Sequence, residues 1–225
     1  MIRRHHLALH LAHRWFAFLE APGGDLASHL AIFHPQVRLS GHRRNHLFAV
    51  DHKSLVDWFA AIPDAISSHH IIHSNYATAD NGDGLLNMVV AYQAPGDPVT
   101  QGSIISYETR VEFAADGARF VALDKTPILA NKRPGYETSW AANRVLARVH
   151  AELGGSVTSD LQLASIFGSD VQQIGVQASA AEGSLVYEAL VTGISARSSS
   201  LYALRLELVD DVLAPLPSIL KVEAL

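Results

Sequence analysis

Histidine is the residue type whose placement first suggests chemistry in this chain. Twelve of the 13 histidines lie between positions 5 and 73, and only His150 lies later. A neutral imidazole takes up a proton near pH 7, because its ordinary pKa is about 6.5. An aspartate behind such a ring would raise its basicity, and a tyrosine hydroxyl can hold a developing enolate oxygen. His70, Asp124 and Tyr107 are the candidate catalytic set. Trp15, His42, His46, Trp58 and Tyr92 are the candidate ligand-binding residues. Tyr107 shares a strand face with Ile105 and Phe113, and Asp124 is expected on the face of Phe120 and Ile128. On a regular strand His69 and His73 share the face opposite His70, while Ile72 and Tyr76 alternate with His70 and favour it as the inward residue. Bland readings stay open: Tyr107 as a core aromatic, Asp124 at a sheet rim, and each histidine as a surface or packing group.

Metal binding is a second use for histidine. His6, His10 and His13 follow helical spacing, and His42 and His46 are four apart. No glutamate completes a His-Glu-x-x-His arrangement, so no metal is expected and a solvated helix face is the reading of the first cluster. No Gly-x-Gly-x-x-Gly, phosphate-cradling loop or Gly-x-Ser-x-Gly elbow occurs, so no cofactor is expected either.

The elements that must position these side chains follow from periodicity. Leu7, Leu11, Trp15 and Phe18/Leu19 form an apolar helical stripe that Pro22-Gly23-Gly24 ends. Asp25 caps a short second helix carrying Leu26, Leu30 and Phe33, and residues 37–40 read as a short strand followed by a loop over 41–45. Asp51 caps a third helix that Pro63 closes. Residues 69–79, 85–94, 102–114 and 118–129 then read as four strands. Strict alternation over Ile105–Phe113 favours an antiparallel sheet, and Asn81-Gly82-Asp83-Gly84, Ala94–Pro98 and Ala115-Asp116-Gly117 are its turns. Asn131–Gly135 is a candidate linker. Beyond it come a helix over 138–153 with Ala141, Val145, Val149 and Leu153 on one face, a short helix over 160–167, and strands at 171–179, 184–194, 200–209 and 216–224.

The 225 residues are 48% apolar and 17% charged, which is globular composition. Net charge is −5, and neither half carries the basic excess that nucleic acid requires. The absence of cysteine excludes disulfides and thiolate ligands. No apolar run is long enough for a membrane span, and the histidines near the start interrupt any apolar leader, so a cytoplasmic protein is expected.

The two halves can be laid over one another. Asp25-Leu26 and Leu30–Phe33 resemble Asp160-Leu161 and Leu163–Phe167; Ser106–Phe113 resembles Leu201–Leu208 with Tyr, Arg and Glu at the same relative positions. On this element order, and on the run Ser68–Asn75 at the first long strand, residues 6–129 resemble the nuclear transport factor 2-like superfamily and its SnoaL-like branch. The resemblance implies an α+β fold of helices on a strongly curved antiparallel sheet, a cone with a pocket at one end. Residues 1–131 would be one such domain and 132–225 a shortened second copy lacking a counterpart of 37–66. It implies a hydrophobic small molecule as partner and a homodimer through sheet faces. Two functions stay open: a non-catalytic ligand-binding or assembly module, and a cofactor-independent isomerase, polyketide cyclase or dehydratase.

Overall fold

The structure, a computed structural model, describes residues 2–20, 24–62, 67–94, 100–133, 140–157, 163–167, 170–180, 185–195, 201–211 and 213–225. The stops expected at Pro22-Gly23 and Pro63, the turn residues Pro95–Pro98, the linker residues Pro134-Gly135, and Asp160-Leu161 lie outside them.

The chain opens with α1 (Ile2–Glu20). Asp25 caps α2 (Leu26–Leu30), its carboxylate accepting the N–H groups of Ala27 and Ser28. Two strands follow, β1 (Phe33–Gly41) and β2 (His46–Ala49). Asp51 and Ser54 form a reciprocal capping box on α3 (His52–Ala61). Four long strands come next: β3 (Ser68–Thr78), β4 (Gly84–Ala94), β5 (Thr100–Ala114) and β6 (Gly117–Arg133). Gly82 and Gly117 take the positive φ angles that their hairpin turns need.

These strands form one six-stranded sheet in the order β2-β1-β6-β5-β4-β3. It is mixed rather than antiparallel: β1 runs parallel to β6. A half-buried strand alternates in the same way beside a parallel or an antiparallel neighbour, so periodicity could not report this direction. β1 starts earlier than expected, and Pro35 falls where β1 leaves register with β6, between Phe33 and Arg38. The expected linker residues 131–133 are the end of β6.

One face of this sheet packs on α1. Trp15, Phe16, Phe33, Leu86, Met88, Tyr107, Val111, Phe120 and Leu123 are its buried centre. Each large side chain so buried contributes about 1.5–3 kcal/mol.

The rest of the chain forms α4 (Trp140–Leu153), α5 (Leu163–Phe167), β7 (Val171–Ala180), β8 (Val186–Ser195), β9 (Leu201–Val209) and β10 (Ser218–Ala224). The four strands make an antiparallel sheet in the order β10-β9-β8-β7, with a core of its own around Val145, Val149, Phe167, Tyr187, Val191 and Leu206.

The two halves meet through α1 and α4. Arg3 Nε donates to Gly154 O, His6 meets His150, His10 meets Ala147 and His13 meets Asn143. One helix number rises as the other falls, so the helices are antiparallel. A side chain at Gly154 would lie 2.7–2.8 Å from Leu7, and the close approach there requires glycine.

This geometry corrects the reading of His6, His10 and His13 as a solvated face: they are 1%, 6% and 4% exposed. Their helical spacing is that of a seam, continued by Ala17 and Glu20. The protonation pattern follows from the partners. His6 Nε2 lies 3.0 Å from Val171 O and must donate there, so its Nδ1 accepts from His150 Nδ1 at 2.7 Å. His10 Nδ1 donates to Ala147 O, and His13 Nδ1 donates to Asn143 Oδ1, both at 2.7 Å.

Burial is what keeps all four rings neutral. Burial pushes His6 and His13 down to about 4 and His10 to about 3, and holds His150 well below the usual imidazole range. His5 and His150 face His6; Arg14, His13 and Arg148 face His10; all these neighbours oppose a further positive charge or become charged themselves. Folded values below the unfolded value mean that the unfolded chain binds protons first as pH falls. Stability carried by the neutral rings is complete above about pH 6.5 and declines to about pH 4, by about 1.4 kcal/mol per ring and pH unit. Urea unfolding at pH 7.5, 6, 5 and 4 measures that slope. His10→Gln, which keeps a donor for Ala147 O but takes no proton, is expected to shallow it by about one proton.

Candidate functional site

The two sheet faces sort the candidate residues. On the outer face, Asp124 is buried and accepts from Ser40 Oγ at 2.7 Å, from Arg44 N–H at 2.8 Å and from Thr126 Oγ1 at 3.0 Å. Burial pushes its carboxyl up, but these three hydrogen bonds and the Arg44 charge outweigh it and hold Asp124 below the usual range. Its position corrects the expected shared face with Phe120. Phe120 pairs with Val111 and Ala122 with Arg110, so Val121 is an extra residue that reverses the alternation.

Asp124 has a visible structural task. His42, Arg43 and Arg44 all have left-handed backbone, with φ of 53°, 57° and 68°. Such a conformation costs about 1–2 kcal/mol per non-glycine residue. His42 N–H is taken by Lys125 O, Arg43 N–H by Thr126 Oγ1 and Arg44 N–H by Asp124. The same turn carries His42 and exposes His46 on β2, where His46 packs on Phe48.

A second extra residue reverses β3. Ile71 pairs with Val90 and His73 with Val89, which leaves Ile72 bulged and 59% exposed. His69, not His70, is consequently the inward residue: His69 is 5% exposed, and His70 is exposed. His70 lines a cleft of about 500 Å³ between β3, α1, α4 and β7, together with His5, His13, His69, His73, Asn143 and His150. The triad His70, Tyr107 and Asp124 does not assemble.

The inner face brings together a different set. Glu20, at the end of α1, accepts the backbone N–H of His69, and its Oε1 lies 3.2 Å from His69 Nδ1. Asn143 Nδ2 donates to both Glu20 oxygens and to His69 O. The His69 ring stacks on Phe16 at 5.0 Å and leans on Tyr92 at the same separation. Phe16 and Trp15 in turn pack against the edge or face of the Tyr107 ring.

Tyr107 pairs across the strands with Lys125. The Lys125 ammonium sits 4.8 Å from the Trp58 ring and 5.1 Å from the Phe48 ring. Burial lowers its pKa. Burial, with Tyr92 nearby, raises the Tyr107 hydroxyl well above its ordinary value, so it stays a proton donor.

A protein of Novosphingobium aromaticivorans assigned as an aromatic ring hydroxylase has a similar fold. It matches with a TM-score of 0.51 at 11% identity, over 59% of this chain and 95% of that one. That share is more than the residues after β6 could supply. The N-terminal half has the nuclear transport factor 2-like fold. A hexachlorocyclohexane dehydrochlorinase of Novosphingobium barchaimii LL02 (TM-score 0.47, 8% identity, 58% of this chain and 90% of that one) is also similar. So is nuclear transport factor 2 of Cryptosporidium parvum (0.42, 11%, 51% and 86%). No protein-family model and no curated protein matches the sequence.

Within this nuclear transport factor 2-like half, sequence reasoning missed Glu20, His69 and Lys125. Glu20 had a signal: it is the only acid in α1 and lies on the stripe of His6, His10 and His13. Lys125 had none, because only the bulge at Val121 turns it inward. Among the described residues no group of three or more His, Asp or Glu is arranged to hold a metal, and no helix is long and apolar enough to cross a membrane.

Asp124→Ala removes the acceptor of Arg44 N–H and of Ser40. It is expected to cost about 1–3 kcal/mol in denaturant unfolding.

Proposed function

We propose that the inner face of the N-terminal half binds a hydrophobic carbonyl compound and moves one of its protons at His69. The observation that carries this reading is a set of donors lacking acceptors on the sheet face, and the helix packed on it, that also carry a carboxylate-held imidazole. Among the described residues the Tyr107 hydroxyl, the Lys125 ammonium and Trp15 Nε1 make no hydrogen bond in the protein, and Trp15 Nε1 is fully sealed. Buried donors left unpaired cost about 1–3 kcal/mol each, so a carbonyl or enolate oxygen is the partner such a set suits.

Glu20 supplies the other half. With its proton on Nδ1 toward Glu20, the His69 ring carries its lone pair on Nε2, and the carboxylate stabilises the imidazolium that proton uptake creates. His69 would take the proton from the carbon beside the carbonyl. The C–H electrons would move into the carbon–carbon bond, and the carbonyl oxygen would become an enolate oxygen received by Tyr107 and Lys125. Return of the proton to another carbon gives an isomerisation; departure of a β-hydroxyl as water gives a dehydration. The aromatic surround of Phe16, Trp15, Tyr92 and Trp58 suits a flat, apolar body. The second half, on this reading, is a shortened copy without a site of its own.

Thermal-shift screening of hydrophobic carbonyl compounds, followed by proton-exchange and turnover assays on each stabilising compound, tests it. His69→Ala is expected to lower the rate by about 10²–10⁴-fold, Glu20→Gln to lower it less, and Lys125→Met to weaken both binding and rate, while His70→Ala leaves it unchanged. Compounds that bind with no exchange or turnover in the wild-type protein would leave the non-catalytic binding module as the function.

A further inference from the structure

A second set of polar groups, sharing no residue with His69 and its neighbours, lies where the helix pair meets the loop before β10. Arg14 of α1, Ser28 and His29 of α2, Trp140 and Arg144 of α4, and Leu213–Pro215 enclose a compartment of about 40 Å³ that opens to solvent. Arg144 is fully committed. Its guanidinium donates to Asp210 and to the carbonyls of Asp211, Ala214 and Pro215, and the Tyr187 hydroxyl completes the Asp210 cluster.

Arg14 is different. Its Nη2 donates to Ser28 O at 2.7 Å and to Ser28 Oγ at 3.1 Å. No carboxylate lies within ion-pair distance of it among the described residues. Its other N–H groups have no protein partner and are not sealed from solvent. Burial and the neighbouring Arg144 charge push Arg14 down to about 10, the response of a cation without a counter-ion. The carboxylate in the lining, Asp25, is occupied by the N–H groups of Ala27 and Ser28.

His29 supplies an independent sign. It is 4% exposed, its ring stacks on Phe18, and its Nε2 is sealed with no hydrogen-bond partner. A partly buried guanidinium with an unfilled edge, beside an unpartnered buried imidazole, lacks an acceptor that carries negative charge.

We propose that this compartment is an oxyanion site, in which a carboxylate or phosphate group takes the unfilled edge of Arg14, with the His29 ring in the wall beside it. A bound anion would also neutralise the repulsion between Arg14 and Arg144, and so would tighten the loop at residues 213–215 onto α1 and α4. The two sources of such a group, free inorganic phosphate and the carboxylate of an organic acid, are separable by titration.

Thermal unfolding at pH 8 and constant ionic strength, in chloride with added inorganic phosphate, acetate or benzoate, is the test. At tenfold excess over the dissociation constant, the Tm is expected to rise saturably by roughly 2–5 °C. Arg14→Met is expected to abolish the saturable part. Saturation by phosphate alone identifies a tetrahedral anion, and saturation by acetate or benzoate a carboxylate. A shift linear in concentration and equal in Arg14→Met is a general salt effect and overturns the proposal. Should that variant not fold, the Arg14 Nε–H resonance of the wild-type protein decides: movement along the same saturation curve supports the site, and an unmoved resonance overturns it.

Discussion

Helix α1 has no solvent face to spare along most of its length, and the rest of the molecule is arranged around that constraint. One side carries Trp15, Phe16, Leu11 and Ala12 into the curved sheet. The other carries His6, His10, His13 and Glu20 against α4. A helix buried on both sides would ordinarily be apolar all round. Here one buried side is polar, so each polar atom in it needs a specified partner.

That requirement makes the seam directional. An apolar interface would tolerate sliding by a turn, because leucine against leucine is similar in several registers. A ladder in which His10 must find Ala147 O while His6 must find both Val171 O and His150 has one register. The cost is that all the rings must stay uncharged, since the nearest neighbours are other imidazoles, Arg14 and Arg148. Buried polar networks of this kind specify an arrangement more than they stabilise it. The sequence shows the same division: α4 places Val145 and Val149 in its own core and turns Asn143, Ala147 and His150 toward α1.

Most of the fold was legible because its strands are long and its turns carry glycine. β3 to β6 and β7 to β10 begin and end within a few residues of the switches in periodicity, and Asp25 and Asp51 cap the helices they were expected to cap. The candidate site was much less legible, for one physical reason. Which face a side chain occupies is found by counting in twos from an anchor, and a single bulged residue inverts every assignment beyond it. Ile72 does this to His70, and Val121 does it to Asp124. Nothing in the local residue types at either position marks a bulge. Tyr107 kept its expected inward side because no such insertion separates it from Ile105, the residue used to orient it. The left-handed turn at residues 42–44 was equally hidden, since it contains neither glycine nor asparagine and depends on acceptors from β6.

Glu20 belongs to both systems that α1 serves. One of its oxygens faces the His69 ring, and both accept from Asn143 of α4. Asn143 in turn has its orientation set by His13, whose Nδ1–H occupies the amide oxygen and thereby aims the amide nitrogen at Glu20. The direction in which the carboxylate presents itself to His69 is therefore fixed by a residue of the other half, through a chain of hydrogen bonds with one allowed polarity. A carboxylate at the end of a helix has many rotamers; one held at two oxygens by the same amide has few. The C-terminal half need not contain a site to matter for the proposed chemistry, because it supplies the amide that keeps the base aligned. Loss of that amide would leave Glu20 buried with one partner fewer and the imidazole with a carboxylate no longer confined to a single orientation.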